Sequence, residues 1–181
     1  MYVMGAGSMS AIGRSRRLRF LGRPLGSLEI RLIEDSSDPD VVALEAESDD
    51  YLKSLYPPES NHAESIETLM KADAAFFGGY IDEELVACGA AKILSDDGIY
   101  GEIKRVFVVE RQRGKNLATA LMEHIEDYLR SNGIGVVRLE TGPRQPEALE
   151  FYRRCGYVER GPFGKYGLDP LSVFMEKALR E

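Results

Sequence analysis

Residues Glu102–Ala118 read EIKRVFVVERQRGKNLA, and the character of the chain changes twice along them. Val106, Phe107, Val108 and Val109 are β-branched or aromatic, which suits a buried strand. Glu110, Arg111, Gln112 and Arg113 then form a polar turn, followed by Gly114, Lys115 and Asn116. Beyond it, Leu117, Leu121, Met122, Ile125, Tyr128 and Leu129 recur at helical spacing. A strand, a cationic turn of small residues and a helix make an anion cradle. The first N–H groups of a helix have no partners within it, and the helix dipole places partial positive charge there. A phosphate is the natural ligand of such an end. It is not a nucleotide P-loop, because Asn116 rather than Ser or Thr follows Gly114 and Lys115, and Val109 stands in place of the first glycine.

The remaining composition bounds the class. The chain has 181 residues, 44% hydrophobic and 29% charged, which fits one soluble domain with a sizeable core. No apolar run approaches the roughly 20 residues of a membrane span, so no membrane partner is expected. The net charge of −7 argues against nucleic acid as a general partner. Residues 1–26 hold five arginines and no acid, and read as a flexible basic N-terminal extension to a domain over 27–181. Cys88 and Cys155 form no C-x-x-C, which points to free thiols in a reducing, cytoplasmic compartment. With His62 and His124 as the two histidines, no histidine-based metal site is expected.

Taken in order, Leu28, Ile30 and Leu32 alternate with Glu29 and Arg31 as a strand, and Asp38 caps a helix with Pro39 at its first position. Tyr56, Pro57 and Pro58 stop that helix. A short helix carries Ile66, Leu69 and Met70. Ala74–Tyr80 and Leu85–Leu94 form a hairpin, and Asp96, Asp97 and Gly98 make a further turn. After the central helix, Asn132 and Gly133 provide a left-handed stop. Val136, Val137 and Leu139 make a strand, Glu147–Arg154 a helix ending at Gly156, and Tyr157–Arg160 and Ser172–Lys177 the closing strands. The order is β-α-α-β-β-β-α-β-α-β-β, one α/β domain on a mixed sheet.

Three stretches in that order are similar to the GNAT superfamily of acetyl-CoA-dependent N-acetyltransferases. Arg113–Ala118 resembles its R/Q-x-x-G-x-G/A pyrophosphate loop, with Asn116 where glycine is usual. Asparagine tolerates positive φ better than most residues, so the turn is kept. Pro146–Tyr157 resembles the later helix whose tyrosine, here Tyr152, faces the coenzyme sulfur, with Gln145 where asparagine is frequent. Ser172–Lys177 resembles the closing strand. The resemblance covers nearly all of 27–181. It implies a mixed, mostly antiparallel sheet of about seven strands flanked by about four helices.

The resemblance further implies an N-acetyltransferase that moves acetyl from acetyl-CoA to a primary amine by direct transfer. The acceptor expected is a small molecule or amino acid; the alternatives are a protein lysine or N-terminus, or a non-catalytic acyl-CoA-binding regulator. Coenzyme contacts fall to Phe107, Val108, Val109, Arg113, Gly114, Lys115, Asn116, Leu117, Ala118, Thr119 and Gln145. The Val108 N–H meets the thioester carbonyl. Glu102 is the first choice of general base, with Glu140 and Glu59 in reserve. Its rival role is an exposed edge-strand partner of Lys104. Tyr152 protonates the leaving thiolate. The acceptor site draws on Tyr56, Glu59, Asn61, His62, Arg105, Glu140 and Tyr166. Competing roles are helix capping by Asn61 with Glu64, and an Arg105–Glu140 pair. Cys155 reads as an inert thiol rather than an acyl carrier. Oligomeric state, including a homodimer, is left open.

Overall fold

The computed structural model describes residues 28–60, 63–71 and 74–179, with the Glu59 side chain excepted. The extension expected over 1–26, and the nominations of Glu59, Asn61 and His62, therefore lie outside what is described. The element order is β1 (Glu29–Leu32), α1 (Pro39–Leu55), α2 (Ile66–Lys71), β2 (Ala75–Ile81), β3 (Glu84–Leu94), β4 (Tyr100–Val108), α3 (Leu117–Ser131), β5 (Val136–Thr141), α4 (Pro146–Arg154), β6 (Val158–Arg160) and β7 (Val173–Ala178). The strands form one seven-stranded sheet in the order β1-β2-β3-β4-β5-β7-β6. All neighbours are antiparallel except β4 and β5, whose connection runs through α3.

Local chemistry explains most boundaries. The Asp38 carboxylate accepts the Asp40 N–H at 2.8 Å, with Pro39 at the first helical position of α1. The hairpin between β2 and β3 turns through Asp82 and Glu83, both at positive φ, as a two-residue turn of matching twist requires. Gly133 takes φ +77° after α3 and Gly156 takes φ +90° after α4. The Ser65 hydroxyl caps α2, accepting the Thr68 N–H at 3.1 Å. Glu64 is drawn instead to Lys92 (3.2 Å) and Lys104 (3.0 Å), because it faces two ammonium groups on the sheet.

Helices α1 and α3 cover opposite faces of the sheet. On the α3 face, Gly89 and Gly101 let Ile125 and Leu129 approach so closely that an added Cβ would meet them at 2.9 Å and 2.6 Å. On the α1 face, Phe107 lies against Tyr51, and Arg105 reaches Asp49 at 2.7 Å. The main core joins residues of both faces around Val86, Ile103, Leu121, Ile125, Leu139 and Met175. A smaller cluster of Tyr100, Phe163 and Phe174 closes the far end.

Two irregularities open the sheet. Between the pairs Cys88↔Phe107 and Ala90↔Lys104, β4 advances one residue more than β3. This is a β-bulge, and Arg105 sits in it at φ +54°. In addition, the β4–β5 ladder runs only from Gly101↔Val137 to Ile103↔Leu139. Beyond it β4 continues to Val108 and β5 to Thr141 without pairing to each other. The bulge adds twist to β4 where the two strands diverge, and a wedge-shaped gap opens between them.

Candidate active site

A cleft of about 700 Å³ passes through this gap, with α3 and α4 on one side and α1 on the other. One end of it is built by the turn after β4. Gly114 (φ +74°) and Asn116 (φ +61°) both take left-handed conformations, so the chain enters α3 abruptly. Asparagine does here what glycine would do at little steric cost. The Asn116 side chain makes no capping bond, and the Ala120 N–H is the one that reaches the Asn116 carbonyl. The N–H groups of Leu117, Ala118 and Thr119 precede that first intrahelical bond, at the positive end of the dipole.

Val108 lines the cleft from β4. The Val109 N–H is spent on the Val86 carbonyl at 3.0 Å. By strand alternation the Val108 N–H points the other way, into the gap. The Val108 carbonyl on that side is held by Arg113 Nε at 3.1 Å, while the Arg113 guanidinium lies over the Tyr51 and Phe107 rings at 4.9 Å and 5.7 Å. Arg113 is thus fixed as part of the wall.

Tyr152 lines the opposite wall and is 8% exposed. Burial, with the neighbouring Cys155 and the charge of Glu140, pushes its phenol up, so it keeps its proton through the neutral range. Glu140 on β5 also lines the cleft and accepts from the Ser172 hydroxyl at 2.7 Å. Its negative charge adds to the upward push on the Tyr56, Tyr152 and Tyr166 phenols, after burial in each case. Cys155 lines the cleft as well, but burial pushes its thiol up, away from thiolate chemistry.

Glu102 is placed differently from expectation. Strand β4 is central rather than an edge, and Glu102 is 3% exposed. It does not line the cleft but a neighbouring chamber, beneath the Tyr166 hydroxyl, which donates to it at 2.7 Å. Lys104 Nζ lies 3.4 Å from the same carboxylate and donates to the Tyr166 oxygen at 2.8 Å.

Of the other nominated residues, Phe107, Arg113, Gly114, Asn116, Leu117, Ala118, Thr119 and Gln145 line the cleft. Val109 is packed inside the core, and Lys115 turns outward to Gln112 at 2.7 Å, so neither reaches it. Tyr56, Arg105 and Tyr166, expected at the acceptor site, line the same cleft. The Tyr56 hydroxyl accepts the Arg144 N–H at 3.0 Å and ties the end of α1 to the β5–α4 loop. Arg105 does not pair with Glu140; the bulge turns it toward α1, where it holds Asp49 and donates to the Glu64 carbonyl at 3.0 Å. His124 packs edge-on against Phe77 at 4.9 Å. Tyr51, Glu64 and Leu171 line the cleft without having been nominated, and Lys104 does so having been weighed only as a partner of Glu102. For Lys104 the signal was present: two residues beyond Glu102 on a strand, it shares that face.

The comparisons agree with this architecture. Residues 22–157 match the model of the Acetyltransferase (GNAT) family. A protein of Azospirillum brasilense named IAA acetyltransferase is 47% identical over 139 residues, 77% of this chain and 90% of that one. Among solved structures, one titled as an acyl-CoA N-acyltransferase from Klebsiella pneumoniae has a TM-score of 0.69 at 32% identity, covering 84% of this chain and 98% of its own. The PaiA N-acetyltransferase of Thermoplasma acidophilum, solved in complex with coenzyme A, has a TM-score of 0.66 at 19% identity, covers 84% of this chain and 99% of its own, and shares the fold. The chain belongs to the GNAT acetyltransferase family and is an acyltransferase.

Proposed function

We propose that the enzyme transfers acetyl from acetyl-CoA directly to the primary amine of a small molecule, inside one ternary complex. The observation that carries this reading is that a single cleft joins a helix N-terminus, a gap between parallel strands, a buried phenol and a carboxylate. The residues present fit the donor: left-handed Gly114 and Asn116 expose first-turn amides to a diphosphate, and the gap beside Val108 admits a thin extended arm. When bound, acetyl-CoA supplies an activated acyl group on a thiol leaving group. The chain's own groups do the rest. The Val108 N–H donates to the acetyl oxygen as negative charge builds there. Glu140 takes one proton of the incoming ammonium and later releases it to solvent. As the C–N bond forms and the C–S bond breaks, Tyr152 gives its phenolic proton to the departing sulfur, and the second proton that the nitrogen sheds on becoming an amide restores the phenol.

Glu140 is preferred to Glu102 because it lines the cleft, whereas Glu102 is screened by Tyr166 and Lys104. Acetyl is preferred to a longer acidic acyl chain. Arg105, the β4 arginine in the cleft that could hold the carboxylate of such a chain, is engaged with Asp49. Two free cysteines fit a cytoplasmic setting. The test is thiol release from acetyl-CoA against a panel of small amines, amino acids and basic peptides, with the product weighed by mass spectrometry. Amine-dependent release with a compact amine and an acetyl mass increment support the reading. Release confined to peptides, or hydrolysis independent of amine, refutes it.

A further inference from the structure

We propose that Tyr166 sets the length of acceptor that the enzyme takes, by separating the cleft from a second, solvent-open chamber that carries charged side chains; this rests on the acetyl-transfer reading above. The chamber holds about 490 Å³ and lies beside the main cleft. The two linings share Glu64, Lys104 and Tyr166, which therefore form the partition. Glu64 and Lys104 are joined at 3.0 Å. Tyr166 fills the rest of the wall.

The partition is braced from every side. The Tyr166 ring packs on Phe163 and Phe174, with centroids at 5.1 Å and 5.4 Å, and Lys104 Nζ lies 5.4 Å from its centre. Its hydroxyl donates to Glu102 and accepts from Lys104. Its N–H closes a turn onto the Phe163 carbonyl at 3.0 Å. That turn depends on Gly164, at φ +55°, where an added Cβ would stand 2.6 Å from the Tyr100 hydroxyl. A ring held by two hydrogen bonds and two aromatic contacts is a fixed wall. With it in place the acceptor side of the cleft ends at Tyr166, and the acceptor is a compact amine.

Seven of the twelve residues lining the chamber behind it are charged, and it opens to solvent past Leu168, which is 92% exposed. Lys92, Lys165, Asp96, Glu102 and Asp169 join the shared Glu64 and Lys104, and Leu94 and Leu168 are its two leucines. A hydroxyl or ionised tail would pair with these groups, whereas an alkyl or aryl tail would gain little burial in a chamber open to solvent. Opening the wall should therefore extend the acceptor range toward linear amines with polar ends, and not toward apolar ones.

The experiment compares the wild-type enzyme with Tyr166→Ala and Tyr166→Phe. The acceptors are a compact amine, linear ω-hydroxy and ω-carboxylate amines, and n-alkylamines of equal length. Tyr166→Ala is expected to raise kcat/KM for the polar linear amines over the compact one by about tenfold or more, without a matching gain for the alkylamines. Tyr166→Phe keeps the ring and should keep the wild-type ratio. An unchanged ratio in Tyr166→Ala, an equal shift in Tyr166→Phe, or an equal gain for alkylamines overturns the proposal. Should Tyr166→Ala fail to fold, Tyr166→Leu retains apolar contact with Phe163 and Phe174 and is read in the same way. Calorimetric binding of the same amines reads the partition without turnover. Absence of all turnover in the wild type thus refutes the acetyl-transfer reading alone, while the binding ratios still decide the role of Tyr166.

Discussion

Replacing Glu140 by glutamine removes the proposed proton acceptor while keeping its size. The amide oxygen can still accept from Ser172, whose hydroxyl donates to Glu140 at 2.7 Å, and the side-chain volume is kept. The expected loss follows from the substrate. An alkylamine with a pKa of about 10.4 is neutral in only about one molecule in 2,500 at pH 7. On the proposed mechanism the wild-type enzyme binds the abundant ammonium form and deprotonates it in place. Glu140→Gln must wait for the neutral form, so its kcat/KM at pH 7 should fall by roughly 10²–10³-fold, within the usual range for a general base. The deficit should shrink about tenfold per pH unit and nearly vanish by about pH 10, where free amine is plentiful. The assay is thiol release at low amine concentration across that range, with coenzyme affinity measured in parallel and expected to stay the same. A constant deficit at all pH values, or none at all, would refute the assignment of Glu140 as base.

Glu102→Gln should act on stability instead. It removes a 3%-exposed carboxylate from between Tyr166 and Lys104, and a cost of about 1–3 kcal/mol should lower the melting temperature by roughly 2–4 °C per kcal/mol. Its pH–rate profile should keep the wild-type shape; a slope like that of Glu140→Gln would restore Glu102 as the base. Tyr152→Phe should slow turnover by a factor that is nearly constant from about pH 6 to about pH 9, because the phenol is pushed well above its ordinary value of about 10. Gly142→Ala would place a Cβ 2.1 Å from the Tyr56 hydroxyl and should cost about 1–3 kcal/mol in thermal unfolding, whereas Gly161→Ala, with nothing within 4 Å, should cost almost nothing. Asn116→Val forces a β-branched residue to φ +61° and should weaken coenzyme A binding in calorimetry, while Asn116→Gly should not.

What the sequence disclosed was local. Asp38 with Pro39, Asn132 with Gly133, and Gly156 mark element ends by their own backbone chemistry, and the structure ends its helices there. The left-handed turn at Asn116 was legible for the same reason. The bulge at Arg105 was not: arginine has no preference for positive φ, and the conformation is held by Asp49 and Glu64, distant in the chain. The choice between Glu102 and Glu140 was equally hidden. Both are strand glutamates beside basic residues, and their difference arises where the β4–β5 ladder stops and where Tyr166 folds over. Those are long-range facts that no local window contains. Tyr166 could be nominated for the acceptor site, but its position between two cavities depends on Phe163, Gly164 and Phe174 packing together.

The central claim is that main-chain amides entering α3 grip the diphosphate of coenzyme A, and amide hydrogen exchange tests it most directly. Adding coenzyme A should slow exchange across Gly114–Thr119 and at Val108, while pantetheine, which lacks the diphosphate, should protect Val108 but leave Gly114–Thr119 unchanged. Coenzyme A binding that leaves Gly114–Thr119 exchanging at the free rate would contradict the account.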